Sequence, residues 1–208
     1  MARIDHVVTS GVFSLDGEDF DVDNNIWIVG DDREVIIVDA AHDHRPILEG
    51  VGDRRVKAIV CTHAHNDHIN AAAALAEETG APIWLHPDDT MLWEVVYPDR
   101  RVDDHLRDGQ IVEVGGAEIT MLHTPGHSPG GVCLHVPSEG VVFSGDTLFN
   151  GGPGATGRSF SSFETIIESL RREVIGLPEV TRVLTGHGDE TTVGAEAAHF
   201  DEYVARGH

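Results

Sequence analysis

The chain has 208 residues and carries 14 Lys plus Arg against 36 Asp plus Glu, a formal charge of −22. That length can bury a core of its own, and 40% hydrophobic with 24% charged residues excludes a disordered chain. A charge of −22 opposes phosphate backbones and anionic bilayer surfaces, so neither nucleic acid nor membrane is an expected partner.

The opening Met1-Ala2-Arg3-Ile4-Asp5-His6 lacks the apolar stretch of a secretory signal. Residues 26–29 and 34–38 are apolar runs around Gly30-Asp31-Asp32, which predicts a β-hairpin. Residues 56–61 form another strand, ending at Cys61-Thr62. A helix over 71–78 follows, capped by Asn66 or Asp67 and closed by Gly80 and Pro82. Residues 83–85 are a short strand, and Asp88-Asp89 opens a helix through 91–96, stopped by Pro98.

Four strands are expected at 111–114, 118–123, 132–136 and 141–143, most separated by Gly- or Pro-bearing turns. Ser161-Ser162-Phe163-Glu164 reads as a capping box for a helix to about 173. A last strand over 181–184 and a last helix over 195–205 complete the chain. Strand clusters alternating with helices predict a layered α/β fold, and no linker or repeat divides 1–208, so one domain is expected. Cys61 and Cys133 lie inside β-like runs, which suits buried thiols and a cytoplasmic setting.

The chemistry concentrates in Thr62-His63-Ala64-His65-Asn66-Asp67-His68. Imidazole and carboxylate are preferred ligands of Zn²⁺ and of divalent iron and manganese. In an extended stretch, residues two apart point the same way, so His63 and His65 can reach one ion. Asp67 and His68 sit where the chain turns into a helix and can face a second. Three further polar residues stand on Gly-bearing turns after apolar strands: His127 in Thr124-Pro125-Gly126-His127, Asp146 in Ser144-Gly145-Asp146, and His187 in Thr185-Gly186-His187-Gly188. Together with the first motif they complete a two-metal set.

These motifs, in this order from Val22-Asp23-Asn24-Asn25 to Gly186-His187-Gly188, resemble the metallo-β-lactamase superfamily, and within it the glyoxalase II-like hydrolases. The resemblance implies an αββα four-layer sandwich with the site at one edge of two sheets. It implies that His63, His65 and His127 hold one metal and that Asp67, His68 and His187 hold the other. Asp146 would bridge both, and Asp39, which ends the strand over 34–38, would orient a ligand histidine from behind. The expected cofactor is a pair of divalent ions, zinc first, with iron or manganese as alternatives.

The expected activity is hydrolysis of thioesters of a small thiol. A metal-bridging hydroxide would attack the carbonyl, with Asp67 a candidate acceptor of the nucleophile's proton. Familiar glyoxalase II continues into a helical glutathione-binding domain, whereas 21 residues follow His187 (208 − 187). A carrier other than glutathione is therefore expected, and the Arg-rich, Lys-poor composition (13 Arg, one Lys) with the resemblance to mycothiol-thioester hydrolases makes a mycothiol-type thiol the expectation. Neither cysteine occupies a ligand motif, unlike the commonest class B β-lactamases. Arg158, in the Gly-rich stretch 149–158, is the candidate contact for a substrate carboxylate. Trp93, Tyr97 and Phe160 are candidates for apolar walls, with core packing the more usual role of such residues. His42 and His44 follow Asp39 closely enough to reach the rim of the site, and His123 suits a packed strand. His6, His86, His105, His135, His199 and His208 gain no role from spacing. Three other functions fit the motifs: a persulfide dioxygenase with one iron on His63, His127 and Asp146, a lactonase, and a non-catalytic metal-binding domain.

Overall fold

A computed structural model describes residues 2–15 and 18–207. The first sheet holds β1 (Arg3–Leu15), β2 (Glu18–Gly30), β3 (Glu34–Val38), β4 (Arg55–Val60), β5 (Ile83–Leu85) and β6 (Asp104–His105) in sequential order. β1 to β3 are antiparallel, whereas β3 to β6 run parallel. Parallel neighbours need crossovers. These carry α1 (His44–Val51), then α2 (Asn66–Ile69) and α3 (Ala72–Thr79), then α4 (Thr90–Val96).

The second sheet holds β7 (Ile111–Val114), β8 (Ala117–His123), β9 (Val132–Val136) and β10 (Val141–Gly145), with β13 (Arg182–Thr185) and β14 (Thr191–Thr192) added beyond β10. Between β10 and β13 lie a small hairpin, β11 (Leu148–Phe149) with β12 (Gly152–Pro153), and α5 (Phe163–Ser169), which continues as a π turn over Leu170–Val174. The chain ends in α6 (Val193–Ala197) and α7 (Phe200–Arg206).

Alternation along the strands builds the layers. Trp27, Val29, Ile36, Val38, Ala58 and Val60 face Val112, Ile119, Met121, Leu134, Val141 and Phe143 between the sheets. Their neighbours Ile26, Ile28, Val35, Ile37 and Ile59 point the other way, onto Ile47, Ile69, Leu75 and Trp93 of the first helical layer. Cys133, Val142 and Val183 point onto Ile166, Leu170, Phe200 and Tyr203 of the second. Strands covered on both faces read as continuous apolar runs, which is why Glu34–Val38 and Val141–Gly145 lack a polar face. The result is the expected αββα sandwich. No helix among the described residues is long and apolar enough to cross a membrane.

Several local expectations need correction. Neither Asn66 nor Asp67 caps a helix: both lie inside α2, whose N-cap is His65, and no side chain caps it. The helix also breaks before Ala72. The Ala40 N–H donates to the His68 carbonyl (2.9 Å) and the Ala40 carbonyl accepts from the Ala71 N–H (3.0 Å), tying α2 to the end of β3. Ser162, not Ser161, caps α5, its hydroxyl accepting from Thr165 N; Ser161 bonds Arg158 instead. The last helix is two helices, α6 and α7, the first capped by Thr192.

Candidate metal centre

Ligand-type residues gather at the carboxyl ends of parallel strands, the usual binding edge of an open α/β sheet. Asp39 follows β3, residues 61–68 follow β4, Asp146 follows β10, and His187 follows β13. The sheets are joined at this edge by backbone bonds from Val132 N to Thr62 O (2.8 Å) and from Asn25 N to Gly186 O (2.8 Å).

All seven sequence-derived ligands converge there, in trios of ring nitrogens and carboxylate oxygens. In the first trio, His65 Nδ1 lies 3.1 Å from His63 Nε2 and 2.9 Å from His127 Nε2. In the second, His187 Nε2 lies 3.0 Å from His68 Nε2 and 3.2 Å from Asp67 Oδ2. Asp146 stands between them. Its Oδ1 is 3.2 Å from His68 Nε2, and its Oδ2 is 3.5 Å from His127 Nε2 and 3.6 Å from His187 Nε2.

Oxygens behind the rings fix which nitrogen is bare. His68 Nδ1 donates to Asp39 Oδ2 (2.8 Å), His127 Nδ1 to the Ala155 carbonyl (2.8 Å), and His187 Nδ1 to the Asp23 carbonyl (2.8 Å). His63 Nδ1 donates to Thr62 Oγ1 (3.1 Å), whose own hydroxyl proton goes to Asp39 Oδ2 (2.8 Å). Four Nε2 lone pairs therefore face the centre, as in metal sites where a rear acceptor sets the tautomer. Asp39 receives His68 and also takes the Thr62 N–H at 2.7 Å.

Donors around a tetrahedral zinc, with bonds of about 2.0–2.1 Å, stand roughly 3.3 Å apart. The observed separations match. Asp146 Oδ1 is buried without a hydrogen-bond partner among the described residues. At Gly186 a Cβ would come within 2.5 Å of Asp146 Oδ1 and 2.8 Å of His68 Cε1, so glycine keeps this space open. The donor set fits two divalent cations.

Charge is concentrated here. Burial pushes His63 well below the usual imidazole value, and His65 down to about 4, with neighbouring histidines adding to the effect. Burial would also lower His68, but Asp146, Asp67 and Asp39 outweigh it and raise the ring's pKa. Burial would raise Asp67, but His68 and His187 hold its carboxyl at about 2.

The trios open on a cavity of about 910 Å³. Arg158 lines it, as do Phe13, Val22, Leu92 and Phe160. Trp93 and Tyr97 do not: Trp93 is core, and the Tyr97 hydroxyl donates to the Ile69 carbonyl at 2.8 Å. The described non-glycine residues with positive φ are Asp39 (62°), His42 (61°) and Phe160 (67°). One stands behind a ligand, one beside the centre and one on the cavity wall, a clustering common at functional sites.

Sequence reasoning missed Asp89. It is fully buried and accepts from Ala64 N (2.9 Å), Ser128 Oγ (2.9 Å) and Gly130 N (2.5 Å). It thereby fastens the His63–His65 segment to the loop after His127. Asn24 was named within the Val22–Asn25 motif but given no role; its Nδ2 lies 3.4 Å from Asp67 Oδ2. A further group, His86, Asp88 and His123, lies outside the centre. Its rings stack at 3.9 Å, His86 Nδ1 accepts from Asp88 N, and His123 Nε2 donates to the Pro129 carbonyl. These nitrogens are already engaged, so His123 is the packed histidine expected. His208 lies outside the described residues.

Comparison with known proteins agrees with this geometry. Residues 20–187 match the family model described as the metallo-beta-lactamase superfamily. The chain is 31% identical over 187 residues to "Hydroxyacylglutathione hydrolase GloC" of Haemophilus influenzae, covering 82% of this chain and 87% of that protein. Among solved structures, it resembles TTHA1623 in a di-iron-bound form (33% identity, TM-score 0.75, 85% of this chain and 93% of that one). It also resembles the BLEG-1 B3 metallo-beta-lactamase (26% identity, TM-score 0.79, 95% and 99%). Sequence motifs, layered fold and converged ligand set lead to one conclusion: the chain belongs to the metallo-β-lactamase superfamily and is a metal-dependent hydrolase by kinship.

Proposed function

We propose that this chain hydrolyses thioesters of a small thiol at a two-ion centre. In this reading His63, His65 and His127 hold one ion, Asp67, His68 and His187 hold the other, and Asp146 serves both. Two divalent ions would lower the pKa of a shared water towards 7 and draw charge onto a carbonyl oxygen. In this reading Asp67 is a ligand of the second ion, 3.2 Å from His187 Nε2, and the candidate acceptor of the nucleophile's proton. A thiol of pKa about 8.5 leaves as an anion, so no strong proton donor is required at the cavity mouth. Arg158 is the cation available there for an acidic group on the substrate, and Phe13, Leu92 and Phe160 offer apolar contact to the acyl or carrier chain.

The observation that carries this proposal is Asp146, within 3.6 Å of ring nitrogens from both trios. A single-iron dioxygenase would use His63, His127 and Asp146 and leave Asp67, His68 and His187 without work. The test is thiol release from hydroxyacyl thioesters of glutathione, coenzyme A and a mycothiol-type carrier, using protein loaded with zinc, iron or manganese. Turnover of at least one thioester is the expected result. Oxygen consumption with a persulfide, or turnover of lactones alone, would contradict it.

A further inference from the structure

His42 lies outside both trios, yet it is built into the centre. Its backbone has φ 61°, a strained conformation for a side chain of this kind. Its ring passes β1 at Gly11, where a Cβ would stand 2.2 Å from His42 Nδ1. Both ring nitrogens have side-chain amide partners. His42 Nδ1 lies 3.3 Å from Asn70 Nδ2, and His42 Nε2 lies 2.8 Å from Asn24 Oδ1.

The direction of this chain follows from one backbone bond. Asn70 Oδ1 accepts the His42 N–H at 2.5 Å, so the Asn70 group facing the ring is its NH₂. An amide NH₂ can only donate, so His42 Nδ1 is the acceptor and Nε2 carries the proton. Nε2–H then donates to Asn24 Oδ1. Asn24 is wholly buried, and its Nδ2 is left facing inward, 3.4 Å from both Asp67 Oδ2 and His187 Nε2. With the amide reversed, a carbonyl lone pair would confront the Asp67 carboxylate.

We propose that His42 is a positioning residue for the second ion, acting through Asn24 to keep an N–H donor, and not a carbonyl, against the Asp67 carboxylate. This rests on the reading that Asp67, His68 and His187 hold an ion. The relay fixes the orientation of the Asp67 carboxylate before the ion arrives. Rear partners of this kind typically change metal affinity 10–100-fold when removed.

The test is stepwise zinc affinity, measured by chelator competition on wild type, His42→Leu and His42→Gln. His42→Leu should bind the second ion about 10–100-fold more weakly and the first within about threefold. His42→Gln, which keeps an N–H donor and the same backbone strain, should recover much of the loss. Equal second-ion affinity in wild type and His42→Leu, or no recovery in His42→Gln, would overturn the relay alone. A wild-type chain that takes up fewer than two ions would overturn the two-ion reading and this inference with it. Nitrogen NMR on the intact zinc-loaded protein gives an independent reading that needs no variant. His42 should be the Nε2–H tautomer, and an Nδ1–H tautomer would refute the relay.

Discussion

Asp89 Oδ2 lies 2.9 Å from the backbone N of Ala64, the residue between His63 and His65. The same carboxylate takes Ser128 Oγ and Gly130 N, just past His127. Burial raises its pKa, and these three donors oppose that shift. Asp89→Asn would set an amide NH₂ against one of the buried donors. Its expected cost is about 2 kcal/mol, because an unsatisfied buried donor costs about 1–3 kcal/mol. In a chain of this size that is a fall of about 4–8 °C in Tm. Calorimetry should show that fall, and chelator competition should show weakened binding of the first ion.

Gly186 is required by its neighbours. Gly186→Ala should displace Asp146 or His68 and lower metal content below that of wild type. Gly176→Ala, where a Cβ meets nothing within 4 Å, should leave it unchanged. Elemental analysis of the two variants side by side is the measurement. Equal metal content in both would refute the tight fit at Gly186.

Arg158 is exposed, and Ser161 holds its backbone: Arg158 N donates to Ser161 Oγ (3.0 Å), which donates back to the Arg158 carbonyl (2.8 Å). Arg158→Ala should raise KM for a thioester with an acidic carrier by roughly tenfold and leave kcat unchanged, the pattern of lost uniform binding. An uncharged carrier should show no such change in steady-state kinetics.

The Cys133 thiol is wholly buried, and burial pushes its pKa up to about 11 from 9.0. The folded state therefore holds the proton more tightly than the unfolded chain. Its contribution is fully present below pH 9.0 and is lost as pH rises through about 11. Two pKa units correspond to about 2–3 kcal/mol. Urea unfolding at pH 8 and pH 10.5 should show a smaller alkaline loss in Cys133→Ala than in wild type. Iodoacetamide should label Cys133 only on unfolding.

The seven ligand-type residues were legible because they are scarce types placed directly after apolar strands, which is a local signal. β1 was not legible: His6-Val7-Val8-Thr9-Ser10 has no clean alternation, and its main partner is β2 rather than the core. Asp89 was hidden by its neighbourhood, since an acid before a helix reads as a solvent-facing start. Only tertiary approach reveals that it faces Ala64 and Gly130. Asn24 lies in the Val22–Asn25 motif and His42 was expected near the rim, but neither had a role from sequence, because that role depends on which way the Asn24 amide faces and which nitrogen of the His42 ring bears the proton. The break between α2 and α3 likewise follows from Ala40, some thirty residues earlier, and not from the helical segment.

The central claim is the paired centre, and the count of ions per chain tests it most directly. Protein purified, reloaded with zinc, iron or manganese and freed of loose metal should contain two ions per chain by elemental analysis, and Asp146→Ala should contain fewer. A wild-type count of one or none, or a full pair retained without Asp146, would contradict the account.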